Sequence, residues 1–329
     1  MTELPELTYS GVKSAADRIA GHVRPVTVVP SDPGEFGSAE VSFALEFLQH
    51  TGTFKARGAA NFTAALLEAG TMPEAGVVIA SGGNAGLACA WAAGRYGIRA
   101  SVFVPVTAPE VKVAGLRALG ADVTQVGTEY AEALEASRTY AAETGAVQSH
   151  AFDHPLIAAG AGTLLNEVHA ALGGGLDTVV VSVGGGGLFA GVAAAADHHG
   201  VRVVAVEPEH CRSLNAALEA GRVVDVPVDS VAADSLGARR VSATALRWAQ
   251  HADVRSVLVP DEAIVAARQA LWDQRRLAVE HSAAAALAAL RTGAYVPEPG
   301  EKVAVVLCGA NTDPGDLANL TQPPTFIRG

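Results

Sequence analysis

Lys55 is the first residue of this sequence whose type and setting could do covalent chemistry. It stands in the run TGTFKARG, residues 51–58, just after a glycine and directly after Phe54. Partial removal of water from an amine lowers its pKa towards that of a usable nucleophile. The run alone is weak evidence, because most lysines are solvated surface charges and Arg57 could simply be an ion-pair partner.

A glycine-rich turn, SGGNAG, follows the predicted strand Val77–Ala80 and precedes an apolar helix. N–H groups at the start of a helix have no partner within it, so such a turn can present them to an anion such as a carboxylate. The residues concerned are Ser81, Gly82, Gly83, Asn84 and Ala85. An equally good alternative is a Ser or Asn helix cap, with glycines that allow tight packing.

A second turn consists of four consecutive glycines between a predicted strand and a predicted helix. These are Gly184, Gly185, Gly186 and Gly187, and Leu188 follows them. A backbone without Cβ atoms can wrap closely around a phosphate. Phosphate binding is the favoured interpretation, because a purely structural turn rarely needs so many glycines in a row.

The same segment is compatible with a different class of protein. From Val179 to Glu207 the sequence predicts a strand, a glycine turn, a helix and a second strand closed by an acidic residue. This is the pattern of a dinucleotide-binding unit with Glu207 on a ribose. The third glycine of GxGxxG falls on Phe189 or, in the other register, on Ala190. A nicotinamide-dependent oxidoreductase therefore remains an alternative.

Cys308 lies in the run LCGAN, directly after the predicted strand Val303–Leu307. A thiol at the carboxyl end of a strand can hydrogen-bond to a ligand in the crevice there. Cysteine is more often a buried hydrophobic residue, and on this run alone that interpretation is the better one.

Short β-branched runs alternate with helical stretches from about Val77 onward. Helices of this length between strands predict crossover connections, and so an α/β fold with parallel sheets covered by helices on both faces. The predicted strands are Val77–Ala80, Ala100–Val104, Asp122–Val126, Thr178–Val183, Val201–Glu207, Ser256–Val259 and Val303–Leu307. The predicted helices are one ending at Tyr96, then Glu110–Leu119, Glu129–Glu143, Leu188–His198, Ser213–Ala220, Asp261–Gln274 and Ser282–Leu290.

The composition describes a globular protein of 329 residues, half of them apolar, with a formal net charge of −11. Such a charge repels phosphate backbones and argues against a nucleic-acid partner. The chain has three widely spaced cysteines, which fits a reducing compartment. No signal-peptide pattern opens the chain, and glycines interrupt the uncharged stretches Ala75–Gly94 and Thr178–Ala196. We therefore expect a soluble, cytoplasmic protein without a membrane partner.

The four motifs together resemble those of the fold-type II pyridoxal-phosphate enzymes, in the serine/threonine dehydratase branch. LEFLQHTGTFKARGAANF is similar to the lysine motif, SGGNAGLACAWAAGRYGIRASVFVP to the asparagine loop, SVGGGGLFAGV to the phosphate cup and LCGAN to the pyridine-nitrogen motif. VEHSAAAALAAL resembles the glutamate-bearing helix, with His281 in place of the usual proline. The resemblance implies two parallel-sheet α/β domains with the cofactor in the cleft between them. The large domain would comprise residues 1–57 and 150–329, and the small substrate-loop domain residues 58–149.

The resemblance also implies a role for each motif. Lys55 would hold pyridoxal phosphate as a Schiff base and move the α-proton, and Phe54 would pack on the pyridine ring. Asn84 would bind the 3′-oxygen of the ring, within the loop Ser81–Ala85 that takes the substrate carboxylate. The run Gly184–Leu188 would hold the phosphate through backbone N–H groups.

Cys308 would face the pyridine nitrogen. A neutral thiol does not force that nitrogen to stay protonated, which makes the ring a weaker electron sink and favours prompt β-elimination. The implied reaction removes water and then ammonia from L-serine or L-threonine and gives a 2-oxo acid. Elimination from 3-hydroxyaspartate is a close variant. Gly82 stands where serine racemases carry a serine, which argues against efficient racemisation.

A cation near the phosphate cup and a homodimer are implied as well. Glu207 and Ser213 match ligand positions of the family, and the carbonyls of Gly184, Cys211, Leu236 and Ala238 are expected nearby. A single carboxylate with a hydroxyl and several carbonyls suits potassium better than magnesium. The alternative for Glu207 is a solvated carboxylate at the end of a strand.

Overall fold

The computed structural model describes residues 6–318, and its elements are as follows. The strands are β1 (Val28–Pro30), β2 (Glu40–Ala44), β3 (Val77–Ala80), β4 (Ala100–Val104), β5 (Asp122–Gln125), β6 (Val147–Gln148), β7 (Thr178–Ser182), β8 (Arg202–Pro208), β9 (Val254–Val259) and β10 (Lys302–Val306). The α-helices are α1 (Tyr9–Ile19), α2 (Lys55–Glu68), α3 (Asn84–Arg95), α4 (Glu110–Ala118), α5 (Tyr130–Thr144), α6 (Pro155–Ala171), α7 (Gly187–His199), α8 (Ser213–Ala220), α9 (Ala233–Leu236), α10 (Ala243–His251), α11 (Asp261–Arg275), α12 (His281–Arg291) and α13 (Gly315–Ala318). Short 3-10 helices at Glu46–Leu48 and His50–Gly52 lead into α2.

The described strands form two sheets, and the predicted α/β class with parallel sheets is confirmed. The larger sheet has the order β1-β2-β10-β7-β8-β9, in which only the β1–β2 pair is antiparallel. The smaller sheet has the order β5-β4-β3-β6 and is parallel throughout. All four strands of the smaller sheet lie between residues 58 and 149. The domain boundaries themselves stay a prediction, and residues 1–5 and 319–329 of the large domain lie outside the described chain.

Valine and alanine determine how the larger sheet is covered. The central strands β7, β8 and β10 bury their valines on both faces, as the almost unbroken valine runs predict. Helix α12 packs against β7, β8, β9 and β10 and buries nearly all of its residues. A helix that is apolar on every side has to be buried in this way, and alanines keep it thin enough to fit. In the described chain, no helix combines the length and apolarity that a membrane crossing requires.

Glycines bring helices α2, α6 and α7 unusually close together. A Cβ on Gly160 of α6 would lie 2.5 Å from the carbonyl oxygen of Arg57 in α2. Two residues further along α6, a Cβ on Gly162 would collide with the backbone of Gly191 in α7. The crossings lie within about one helical turn of the starts of α2 and α7. The contacts therefore bring the first residues of these helices, Lys55 and Gly187, to the same side of the molecule.

Arg57 is an ion-pair partner in the interior, as one reading of its motif suggested. Its side chain is fully buried, and its guanidinium donates to Glu46 at 2.6 and 3.0 Å and to Glu167 at 2.6 and 2.8 Å. A further donation reaches the Thr163 hydroxyl at 3.1 Å. Burial raises the pKa of Glu46, and the neighbouring guanidinium opposes that shift. The network ties α2 to α6 and to the segment before α2.

Arg57→Met is expected to lower the free energy of unfolding by about 3–5 kcal/mol, because it leaves the buried Glu46 carboxylate without its cation. Urea unfolding followed by circular dichroism measures the change. Arg240→Met is the matched control, since Arg240 pairs with Asp225 on the exposed surface at 2.7 Å. An Arg57→Met protein as stable as this control would contradict the structural role of the network.

Candidate active site

A cavity opens between the two sheets, at the starts of α2, α3 and α7. Phe54, Lys55, Ala85 and Gly187 contribute to its wall, together with the first turns of α2, α3 and α6 and the segment 149–151. Three of the motifs found in the sequence, far apart along the chain, thus meet at one place. The lysine motif and the glycine run follow β2 and β7, whose carboxyl ends share one edge of the larger sheet, and the turn after β3 comes from the carboxyl edge of the smaller sheet.

Lys55 is the first residue of α2 and extends into this cavity. Its Nζ donates to the carbonyl oxygen of Ala151 at 3.2 Å and lies 4.6 Å from the centre of the Phe54 ring. Burial lowers the pKa of Lys55 from 10.5 to about 8, and the influence of Cys308 and Glu280 offsets only part of that shift. A substantial fraction of the amine is therefore neutral near physiological pH and able to act as a nucleophile.

Cys308 lies beside the lysine motif because the backbones of the two segments pair. Phe54 N–H donates to the Cys308 carbonyl at 3.0 Å, and Thr53 forms an isolated bridge with Gly309. The thiol is buried, and burial raises its pKa to about 12, with Glu280 adding to the effect. The side chain is therefore a neutral thiol at physiological pH.

Glu280 organises the polar groups around the cavity. Its carboxylate accepts from Asn84 Nδ2 at 2.8 and 3.1 Å, from Asn311 N–H at 2.9 Å and from the Ser282 hydroxyl at 2.9 Å. Asn311 also donates to Asn84 Oδ1 at 2.7 Å. Burial raises the pKa of Glu280, although these donors oppose the shift. The contacts of Glu280 and Asn311 were not predicted from the sequence. The one sequence feature that pointed to Glu280 was its position just before an apolar, alanine-rich helix.

Helix α3 starts without a side-chain cap, which removes one reading of its turn. Gly83 occupies the cap position and no side chain accepts from the helix N–H groups there. Asn84 turns its amide towards Glu280 and Asn311 instead. A Cβ on Gly86 would collide with the carbonyl oxygen of Ser81, so the turn can close only around a glycine. The start of α3 therefore keeps N–H groups that an anion can use.

The glycine run forms the start of α7 and has a tightly packed backbone. Gly186 is the cap residue at φ +92°, where a side chain is strained. Ser213 donates to the Gly184 carbonyl at 3.0 Å, and Ser242 N–H donates to the Gly185 carbonyl at 3.1 Å. Cβ atoms on Gly185 and Gly187 would overlap Phe152. The turn is therefore a concave backbone cradle at the N-terminus of a helix, which suits a phosphate.

Comparison with known proteins identifies the family. The model of the pyridoxal-phosphate dependent enzymes matches residues 19–309. The chain belongs to this family. It is 37% identical to the mouse protein "Serine dehydratase-like" over 82% of this chain and 85% of that protein. It is 35% identical to the L-threonine ammonia-lyase of Geobacter sulfurreducens over 93% of this chain and 76% of that protein. The solved structure of maize serine racemase has a TM-score of 0.88 at 29% identity and covers 95% of this chain and 96% of its own.

The residues of this pyridoxal-phosphate dependent enzyme fit its cofactor. The glycine cradle at the start of α7 can take a phosphate, and Lys55 offers a partly neutral amine in the same cavity. Glu207, which the dinucleotide alternative placed on a ribose, is fully buried and bonded to the start of α8. The match to the pyridoxal-phosphate dependent enzymes leaves the oxidoreductase alternative without support.

The predicted cation ligands lie close together beside the glycine run. Glu207 accepts from Leu214 N–H at 2.7 Å, from Asn215 N–H at 2.8 Å and from the Ser213 hydroxyl at 3.4 Å. Burial raises the pKa of Glu207 to about 7, and these donors oppose the shift. Cys211 is buried nearby. Between residues 6 and 318, no three His, Cys, Asp or Glu side chains cluster as a metal site. The cation site with Glu207, Cys211 and Ser213 stays a prediction.

Acylation of the protein without its cofactor is expected to label Lys55 half-maximally near pH 8, because the neutral amine fraction rises through that pKa. Trace labelling with an acylating reagent across a pH series, followed by peptide mass spectrometry, measures the midpoint. N-acetyl-lysine amide in the same reaction is the solvated standard, whose amine loses its proton at higher pH. Coincident profiles for Lys55 and the standard would contradict the lowered pKa.

Proposed function

We propose that this protein eliminates water and then ammonia from L-serine and L-threonine to give a 2-oxo acid. The observation that carries the proposal is the shared cavity of Lys55, the open start of α3 and the glycine cradle of α7. Membership of the pyridoxal-phosphate dependent enzymes supports it, as do relatives named serine dehydratase-like and L-threonine ammonia-lyase.

The chain's own residues would hold the cofactor at three points. Lys55 and Phe54 would contact its ring end, Asn84 and Cys308 the ring's polar atoms, and Gly184–Leu188 its phosphate. When bound, pyridoxal phosphate withdraws electrons from the α-carbon of an amino acid. The neutral thiol of Cys308 would not force the ring nitrogen to stay protonated. This favours elimination over chemistry that needs a long-lived carbanion.

Lys55 would move the α-proton. A general base works best when its pKa lies close to the working pH, and burial brings the amine to about 8. The substrate carboxylate would lie at Ser81–Ala85, where the N–H groups at the start of α3 and the positive end of its dipole favour an anion. Amine and carboxylate sites on opposite elements would hold the α-carbon between them.

The cavity favours a small, uncharged side chain on the substrate. Ala85, Ala88 and Ile157 form its apolar wall, and Lys55 is the one lysine or arginine among its lining residues in the described chain. A second carboxylate would need a cation to replace its lost water. L-Serine and L-threonine are therefore better candidates than 3-hydroxyaspartate.

Racemisation is a second activity to consider, because the maize serine racemase has the same fold. A racemase needs a proton donor on the face of the α-carbon opposite the lysine. Gly82, at the position where the resemblance places a racemase serine, has no side chain to donate. Efficient racemisation is therefore not part of the proposal.

Assembly, location and cation are further parts of the proposal that rest on the family resemblance. The protein would act as a homodimer in the cytoplasm and would bind potassium at Glu207, Cys211, Ser213 and the carbonyl of Gly184. The bond from Ser213 to Gly184 would then connect this cation site to the glycine cradle.

The cofactor-loaded protein is expected to release 2-oxo acid from L-serine and L-threonine, and more slowly from L-threo-3-hydroxyaspartate. Incubation with each amino acid separately and colorimetric measurement of the oxo acid tests this order. Lys55→Ala is the blank and is expected to lose both the activity and the visible absorbance of lysine-bound cofactor. Absence of oxo acid from all three amino acids would reject the proposed function.

Gly186→Ala is expected to weaken pyridoxal phosphate binding by roughly tenfold or more, because a methyl group at positive φ costs about 1–3 kcal/mol and displaces the cradle. The new methyl would meet Ala245 and Val241. Equilibrium dialysis measures the affinity. Gly200→Ala is the control, since Gly200 also has positive φ, at +68°, but a Cβ there meets nothing within 4 Å. Equal affinities in the two variants would contradict phosphate binding at this turn.

A further inference from the structure

Residues 149–151 form one wall of the cavity, and the segment 149–154 contacts both cofactor-binding motifs. The carbonyl of Ala151 accepts from Lys55 Nζ at 3.2 Å. Phe152 occupies the space that Cβ atoms on Gly185 and Gly187 would need. His150 lines the same cavity, and no role for it follows from the motifs. Its position is therefore fixed relative to both the lysine and the glycine cradle.

The ring of His150 is held in one orientation by its own segment. Its Nδ1 accepts from Asp153 N–H at 2.8 Å and from Phe152 N–H at 3.2 Å. The Phe152 ring meets the imidazole edge-on, with 4.9 Å between centroids and an interplanar angle of 89°. Because Nδ1 is an acceptor, the proton of the neutral ring lies on Nε2, at the opposite side of the imidazole.

The surroundings keep this ring in its neutral form. Partial burial lowers the pKa of His150, the nearby Lys55 lowers it further, and Asp153 opposes both effects. The imidazole thus has a single N–H donor, on Nε2, at physiological pH, and His150 is one of the residues that line the cavity. A neutral donor discriminates by hydrogen-bond geometry, because it carries no charge that would attract any anion.

A bound hydroxy-amino acid would use the other sites that have been described in the cavity. Its α-carbon would face Lys55 and its carboxylate the start of α3. Ala85, Ala88 and Ile157 are apolar, and the hydroxyl of Ser149, which also lines the cavity, bonds to the Cys89 thiol, so His150 is the remaining lining side chain that can serve the β-oxygen. A buried hydroxyl oxygen without a hydrogen bond is costly, and more so as it gains negative charge when the Cβ–O bond breaks.

We propose that His150 donates a hydrogen bond from Nε2 to the β-oxygen of the bound amino acid and so selects substrates that carry a β-hydroxyl. The inference rests on the proposed β-elimination and deepens it. The α-hydrogen and the β-hydroxyl leave together as water while the electron pair of the Cα–H bond forms the new double bond. His150 keeps its own proton throughout, and the elimination needs no co-reactant.

The test compares a leaving group that needs a donor with one that does not. His150→Leu is expected to lower kcat/KM for L-serine roughly 10- to 100-fold, and to change that for β-chloro-L-alanine by less than about threefold. Chloride departs as a stable anion without a donor. His150→Gln keeps an N–H near the position of Nε2 and is expected to restore part of the serine activity.

His154→Asn is the matched control from the same segment. His154 accepts from Leu156 N–H at 3.1 Å as the cap of α6, and asparagine can keep that bond. Its ratio of serine to β-chloroalanine activity is expected to equal that of the unmodified protein. The absorbance of lysine-bound cofactor verifies that each variant is loaded. An equal loss on both substrates in the His150 variants, or no loss at all, would overturn the inference.

A measurement without catalysis guards against variants that fail to fold. In the protein without cofactor, nitrogen–proton NMR of the imidazoles, assigned by the signal missing in His150→Gln, is expected to show the Nε2–H tautomer. The Nδ1–H tautomer would overturn the inference whatever the kinetics show. If the unmodified protein eliminated neither water nor chloride, the proposed function would fail and this inference with it, an outcome distinct from an equal loss in the variants.

Discussion

The close approach of helices α2, α6 and α7 is the constraint on which the active site depends. At Gly160 and Gly162 the helices pack backbone against backbone, so a single Cβ would have to push them apart. Lys55 and Gly187 start the two outer helices, and their separation therefore follows from the packing of these glycines. Arg57 adds an electrostatic contribution, because its buried guanidinium is bonded to carboxylates on both sides. A binding cavity for a rigid cofactor needs this precision, which packing supplies more reliably than loops do.

Burial then determines the protonation of the groups in the cavity. It disfavours every charged form, so it lowers the pKa of Lys55 and raises those of Cys308 and Glu280. The lysine becomes a usable base and the thiol remains neutral. Glu280 differs from both, because four donations reach its carboxylate and oppose the rise in its pKa that burial causes.

Polar contacts between the two sheets complete the cavity. Glu280 and Asn311 lie on the side of the cleft that the larger sheet forms, and both bond to Asn84 at the start of α3. The segment 149–154 passes from the smaller sheet back to α6 and contacts Lys55 and the glycine run on its way. The two sides of the site are thus connected through a few hydrogen bonds. Each of these bonds involves Asn84 or Lys55, which are both proposed to contact the cofactor.

The amino-acid sequence by itself determined most of the strands and helices after Val77, because parallel strands buried on both faces need runs of valine and the turns after them need glycine. Strand β6 and helices α6, α9 and α10 were not predicted. Strands β3 and β4 and helix α8 have the predicted bounds. The bounds of the other predicted elements differ from the predicted ones by at most two residues. Lys55, the two glycine turns and Cys308 were also identifiable, because their four motifs together resemble those of a known family, although the runs around Lys55 and Cys308 were weak evidence on their own. Only the tertiary structure revealed the bonds of Glu280 to Asn84, 196 residues away, the burial of Arg57 between its carboxylates and the orientation of His150. These depend on which surfaces the folded chain brings into contact and on how much water that contact removes, and neither quantity is encoded in a local pattern.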